Sequence, residues 1–270
     1  AMLMADLWEL SPGLAVYLLI FAALLGSVWA SFSGCAASRM KNGESFLKGR
    51  SHCDSCGHVL KPLDLVPIFS WLFAKGRCRY CKAKIPASCP VTEALGAASF
   101  VLILWRYGLT LLGARNLIFT AILILISLID WETGLIPDSL ILASLASFLL
   151  FTGFISGWHG IWTGLVGGLM LGVPLLLLVL LMDRVLKRES MGGGDLKLFF
   201  AVGLYFPWRE LLLVVILSCI TGLLLALLTR KTTGDPENPK AFPFAPSIAL
   251  AAVASLLWAG PIVNWYLNLF

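Results

Sequence analysis

The sequence predicts an all-α polytopic membrane protein: eight transmembrane helices, with one small metal-stapled cytosolic insertion after the first. Three observations carry that prediction. The 270 residues are 59% hydrophobic and only 13% charged, with a mean hydropathy of +0.90, too apolar for a soluble globule. Apolar runs recur along the chain, separated by short polar or Gly/Pro-rich stretches. The basic residues are confined to particular loops, so the net charge of +5 reads as membrane topology and excludes a groove for nucleic acid.

The first span is Leu14–Ala30. Asp6 and Glu9 precede it and no basic n-region does, which argues for a retained helix over a cleaved signal. Phe32-Ser33-Gly34-Cys35 faintly resembles a lipoprotein box, but the basic cluster follows that cysteine, which argues against lipidation. Residues 39–90 then turn polar and carry ten Lys/Arg, marking a small extramembrane domain between a first helix (1–38) and a membrane body (91–270). Apolar runs resume at Val91–Trp105, Leu117–Ile129, Leu140–Phe154, Ile161–Leu181, Leu196–Phe206, Leu211–Leu228 and Ile248–Trp258. Several fall short of the roughly 20 residues a perpendicular helix needs and must borrow flanking residues. Leu196–Phe206, the weakest, is expected to be a short helix whose backbone is covered by its neighbours.

Charge decides between seven helices and eight. Ten basic residues from Arg39 to Lys84, four at Arg184, Lys187, Arg188 and Lys197, and three at Arg230, Lys231 and Lys240 share one face of the eight-helix arrangement. Only Arg106, Arg115 and Arg209 face the other way. The crowded face is cytosolic, and both termini lie outside.

Cys53-x-x-Cys56 and Cys78-x-x-Cys81 are two knuckles, each able to present two thiolates to one tetrahedral ion. In a reducing compartment this pattern favours structural zinc over disulfides. His52 and His58 flank the first knuckle and could substitute as ligands, although histidines so placed more often lie behind the ligands or face solvent. Cys35, Cys89 and Cys219 lie in or beside apolar runs and are expected to be small buried hydrophobes.

Two acids stand out. Asp130 closes the third span and Asp195 opens the sixth, in Met191-Gly-Gly-Gly-Asp-Leu-Lys197, both at the cytosolic boundary. A carboxylate at the edge of a bilayer is costly unless it is used. Two at one depth on different helices suit a dyad sharing one proton, in which one carboxylate activates water and its protonated partner donates to a carbonyl. The plainer readings are that Asp195 caps its helix, that Asp130 is an interfacial acid, and that Asp138 caps the fourth span. Glu132 is an alternative acid on the same loop. Lys197, two residues past Asp195, points away from it on a helix and is expected to contact another helix or a substrate.

Asp130…Ile136-Pro137-Asp138 followed by Gly192-Gly193-Gly194-Asp195-x-Lys197 resembles the type IV prepilin peptidases, membrane aspartyl proteases of the GxGD kind. Gly49-Arg50-Ser51-His52-Cys53, Ile68-Phe69-Ser70-Trp71, Gly76-Arg77-Cys78-Arg79-x-Cys81, Pro90-x-x-Glu93 and Pro243-Phe244-Ala245-Pro246 are similar to other stretches of that family. The resemblance implies eight helices, a cytosolic four-cysteine zinc module after the first, and a multi-pass place in the bacterial inner membrane with the active site facing the cytosol. It implies Asp130 and Asp195 as the catalytic pair, with Gly192, Gly194, Lys197 and Asp138 in support. The implied reaction removes a basic leader after a glycine from prepilin or pseudopilin precursors lying in the lipid bilayer. Many members then methylate the new N-terminus with S-adenosylmethionine. The residues associated with methylation correspond to Gly76 and Arg77, where the family often has lysine at the second position. The family's Ser-Phe-x-Asn stretch reads Ser31-Phe32-Ser33-Gly34 here. A peptidase without methyltransferase activity is the near alternative. A distant one is an ion- or proton-coupled transporter using the same acids, which would need acids at the bilayer midplane and an inverted repeat, neither of them visible.

Overall fold

The computed structural model describes residues 4–43, 51–53, 55–187, 191–229 and 242–269. Gly49 and Arg50, most of the Pro-rich Lys231–Pro246 loop, and the basic residues Lys48, Arg188, Arg230, Lys231 and Lys240 lie outside the described residues. Among those described, regular structure is helical apart from two isolated β-bridges. The chain divides into two compact units, Ala1–Leu109 and Thr110–Phe270.

The first unit contains α1 (Met4–Leu10), α2 (Pro12–Lys41), a 3₁₀ turn (Pro62–Leu65), α3 (Phe69–Phe73) and α4 (Ser88–Tyr107). The short helix α1 was not expected. It forms because Met4 and Leu7 bury against Ala15, Ala22 and Leu104, with Trp8 edge-on to Trp105. The buried face of α2 is small: Ala15, Ala22, Gly26, Ala30, Ser33 and Ala37. In lipid no hydrophobic force drives helices together, so they associate where small residues let backbones touch. A Cβ on Gly96 of α4 would lie 2.6 Å from the Gly26 carbonyl oxygen and 2.7 Å from Ala30 Cβ, so α2 and α4 meet backbone to backbone. At 30 residues α2 outruns its apolar run, and Arg39–Lys41 forms its last turn.

The second unit holds α5 (Leu111–Thr133), α6 (Asp138–Leu186), α7 (Gly193–Gly203), a 3₁₀ turn (Trp208–Glu210), α8 (Leu211–Thr229) and α9 (Ala245–Leu267). A straight 49-residue helix would be about 74 Å long, more than twice the hydrocarbon thickness. Gly157 breaks α6 with φ 58° and ψ −152°, a conformation only glycine adopts at little cost. Phe148 touches Gly164 across that break, although 16 residues of straight helix would hold them roughly 24 Å apart. The two arms of α6 therefore fold back on each other, and they correspond to the fourth and fifth apolar runs.

The helix α7 has 11 residues, about 16 Å, and cannot cross by itself. It lies along the second arm of α6, where Gly164, Gly167, Gly168 and Gly172 are buried. A Cβ on Gly167 would fall 2.5 Å from the Gly203 carbonyl oxygen and 2.9 Å from that of Phe206. Leu204, Tyr205 and Phe206, expected to continue the helix, form a buried turn instead. Among the described residues six helical segments are long and apolar enough to cross a membrane.

Candidate active site

The acid of α5 sits one turn from the helix end, where Gly134 adopts the left-handed conformation (φ 68°, ψ 20°) and donates its N–H to the Asp130 carbonyl at 2.8 Å. That stop leaves only the four residues Gly134-Leu135-Ile136-Pro137 to connect α5 to α6, so Asp138, the first residue of α6, stays at the Asp130 end of α5. Asp130 is 5% exposed, and its Oδ2 accepts the Ala245 backbone N–H at 3.0 Å. Ala245 is the first residue of α9, so the carboxylate satisfies an orphan donor and lies at the positive end of a 23-residue helix. This contact offsets part of the cost of burying the charge.

Asp195 is the third residue of α7, after an extended Gly192. Neither it nor Asp138 is a cap: the N-cap positions are Gly192 and Pro137, and neither helix start has a side-chain cap. Asp195 Oδ1 is buried and has no hydrogen-bond partner, and Oδ2 lies beside exposed Gly192. Asp195 is close enough to Asp130 for their charges to interact through space. The two sequence motifs also touch directly, since a Cβ on Gly194 would lie 3.1 Å from Ile136 Cβ. Lys197 Nζ reaches back to Asp138 Oδ1 at 2.7 Å and ties the starts of α6 and α7 together. The arrangement thus has one carboxylate held by a helix terminus and a neighbouring one with an oxygen free to bind water or a proton.

In the first unit the four thiols Cys53, Cys56, Cys78 and Cys81 have their sulfurs within 4.8 Å of one another. The Cys53 and Cys81 Sγ atoms are 3.8 Å apart, matching the edge of about 3.8 Å for a tetrahedron with 2.3 Å metal–sulfur bonds. Isolated β-bridges His52–Val59 and Arg77–Lys84 close the two knuckles, and backbone N–H groups of Cys81 and Tyr80 lower the Cys78 thiol to about 7. The cluster can hold a metal ion. His58 stacks on Tyr80 at 3.7 Å, and neither histidine joins the four-thiol group. Gly76 and Arg77 directly precede Cys78: Gly76 is buried under Trp71, and Arg77 is exposed.

Sequence reasoning missed the Ala245 amide, whose only signal was the Pro-Phe-Ala-Pro stretch that starts α9. It also misplaced two cysteines. Cys89 and Cys219 are exposed and Cys35 is half-buried, with its Sγ 3.7 Å from Ser51 Oγ. An apolar helix in lipid can turn a cysteine outward as readily as inward.

Residues 24–107 match the model of the bacterial peptidase A24 N-terminal domain, and residues 117–227 match that of the type IV leader peptidase family. The chain is 30% identical to the prepilin leader peptidase/N-methyltransferase of Bacillus subtilis (strain 168) over 255 residues, covering 93% of this chain and 97% of that protein. It is 33% identical to the protein of the same name from Aeromonas hydrophila, over 82% of this chain and 76% of the relative. For the Pseudomonas aeruginosa protein of that name the identity is 33%, over 81% and 74%. No solved structure matches the chain significantly.

Proposed function

Because this chain belongs to the type IV leader peptidase family, we propose that it removes the leader from type IV prepilin or pseudopilin precursors, with Asp130 and Asp195 as its catalytic acids. The observation that carries the assignment is the pairing of Asp130, secured by the Ala245 N–H, with Asp195, whose Oδ1 has no hydrogen-bond partner. Two neighbouring carboxylates do not both ionise readily, so the pair retains one proton. The ionised member takes a proton from water as the water oxygen attacks the scissile carbonyl. The protonated member donates to the carbonyl oxygen, and the tetrahedral species then collapses with proton transfer to the leaving amine. Exposed Gly192 and Gly193 let a substrate backbone approach the acids closely.

A precursor with a basic leader in the cytosol and an apolar helix in the bilayer places its scissile bond at the interface, where both acids are proposed to lie. Eight passes follow when each arm of α6 crosses and α7 serves as the short eighth. The termini are then outside and the acids cytosolic, in the bacterial inner membrane. The four thiolates hold zinc as a structural ion, since a complete thiolate sphere leaves no open position for catalysis. The relatives' names also carry N-methyltransferase, and Gly76 and Arg77 are the residues proposed to serve that activity. S-adenosylmethionine, when bound, supplies the methyl group; the acceptor is the amine freed by cleavage.

The test uses purified protein in proteoliposomes with a pilin precursor, with and without S-adenosylmethionine, and weighs the product. Wild type should release the leader and add a methyl group. Asp130→Asn and Asp195→Asn should each leave the precursor whole in a folded, inserted protein. Full processing by either variant refutes the dyad, and cleavage without added methyl leaves a peptidase alone.

A further inference from the structure

In the cysteine-bearing module the stretch from Leu63 to Phe73 leaves large apolar side chains uncovered: Leu63 is 72% exposed, Phe69 54%, Leu72 55% and Phe73 82%. The single turn of α3 is two-faced. Phe69, Leu72 and Phe73 project outward, while Trp71 turns inward, donating its Nε1–H to the Ile85 carbonyl at 3.2 Å and lying against Gly76. A small extramembrane domain does not normally display such a cluster unless something covers it.

Two further observations say what covers it. The first is depth. The Ile68 N–H donates to Glu93 Oε2 at 2.6 Å, and Glu93 is the sixth residue of the apolar helix α4. That bond fixes the start of α3 at the level of the second turn of α4. Ile68 holds φ 64° and ψ −55°, a costly conformation for a β-branched residue, closed as a γ-turn by the Phe69 N–H on the Pro67 carbonyl at 2.6 Å, with its own N–H turned to Glu93. The second is charge. Residues 55–87 contain Lys61, Lys75, Arg77, Arg79, Lys82 and Lys84 against a single acid, Asp64, which is already paired with Arg79 at 3.3 Å. Apolar side chains at the level of a spanning helix's first turns, rimmed by cations, form a surface suited to the boundary between headgroups and acyl chains.

We propose that Leu63–Phe73 is an interfacial anchor that inserts Phe69, Leu72 and Phe73 into the anionic leaflet beside α4 and so holds the cysteine-bearing module on the membrane surface. That this leaflet is the cytosolic one rests on the topology proposed above; the lipid contact itself does not. The experiment is photocrosslinking of the full chain carrying Phe73→p-benzoylphenylalanine in nanodiscs of phosphatidylcholine alone or mixed equally with phosphatidylglycerol, read by mass spectrometry of the adducts.

The expected result is lipid adducts enriched in phosphatidylglycerol. Lys75→Gln and Lys82→Gln should reduce that enrichment by up to roughly fivefold each. Adducts only to residues 110–270, adducts only to added precursor, or no adduct above a detergent-solubilised control would each overturn the proposal, as would equal labelling of both lipids. Because the readout is a lipid adduct and not cleavage, its failure leaves the peptidase reading untouched.

Discussion

The position of Asp195 depends on a contact eight residues away, and Gly167→Ala tests that dependence. A methyl at residue 167 would sit 2.5 Å from the Gly203 carbonyl oxygen, where ordinary contact begins at 3.4 Å, so α7 must retreat from α6 by about 0.9 Å. Both obstructing atoms are backbone carbonyls, of Gly203 and Phe206, and cannot rotate away as a side chain could. Overpacking of this kind costs about 1–3 kcal/mol. Asp195 travels with α7, and a misplacement of about 1 Å in a catalytic group can lower the rate on the order of 100-fold. Gly153→Ala is the control, because its nearest neighbour is Ile161 Cδ1 at 3.8 Å and an interior helix gains up to about 1 kcal/mol from that exchange. Cleavage rate in proteoliposomes and thermal melting in detergent should move together: both fall for Gly167→Ala, while Gly153→Ala melts at or above wild type and cleaves normally. Wild-type cleavage and melting for Gly167→Ala would refute the claim that this helix contact positions the acid.

Asp130→Ala removes the acceptor for the Ala245 N–H and should lower stability by about 1 kcal/mol in addition to stopping cleavage, whereas Asp130→Asn keeps an acceptor and should stop cleavage at near-normal melting temperature. The exposed Lys197–Asp138 pair contributes at most about 1 kcal/mol to stability, so Lys197→Gln and Asp138→Asn should barely change melting yet slow cleavage. The charge-exchanged double variant should regain part of the rate if the pair acts by tying α6 to α7. Metal analysis should find about one zinc per chain, and none after Cys53→Ser with Cys78→Ser.

The cysteine knuckles were legible because their geometry is local: a CxxC turn brings two thiols together wherever it occurs, and only the meeting of the two knuckles needed the fold. The acids were legible as anomalies in an apolar chain. Their partners were not. Asp130 meets an amide 115 residues away, and a backbone N–H has no identity in a sequence. Asp138 looked like a cap, but Pro137 occupies the N-cap position and Lys197 takes the carboxylate. Arg115, counted as a topological charge, also hydrogen-bonds Asn116 Oδ1 at 3.2 Å and Thr152 Oγ1 at 3.3 Å and lies 5.3 Å over the Tyr205 ring. A charge count cannot distinguish a cation in headgroups from one satisfied inside the helical body.

The shortness of α7 has a physical consequence. At 11 residues, about 16 Å, it ends inside the hydrocarbon thickness, so its last carbonyls must be covered by protein. Three anchors make that possible. The Gly164–Gly172 face of α6 admits the α7 backbone along its side. At its far end Tyr205 stacks on Phe119 at 3.7 Å and donates its hydroxyl to the Ser144 carbonyl at 2.8 Å. At its near end Lys197 grips Asp138. Of these, only the near-end tie is exposed and replaceable, so the rigid part of the site lies in the helix packing and the adjustable part at the rim where Asp195 sits. The glycine face and the Tyr205 stack are buried, so they, and not the exposed Lys197–Asp138 contact, set where α7 and with it Asp195 lies against α6.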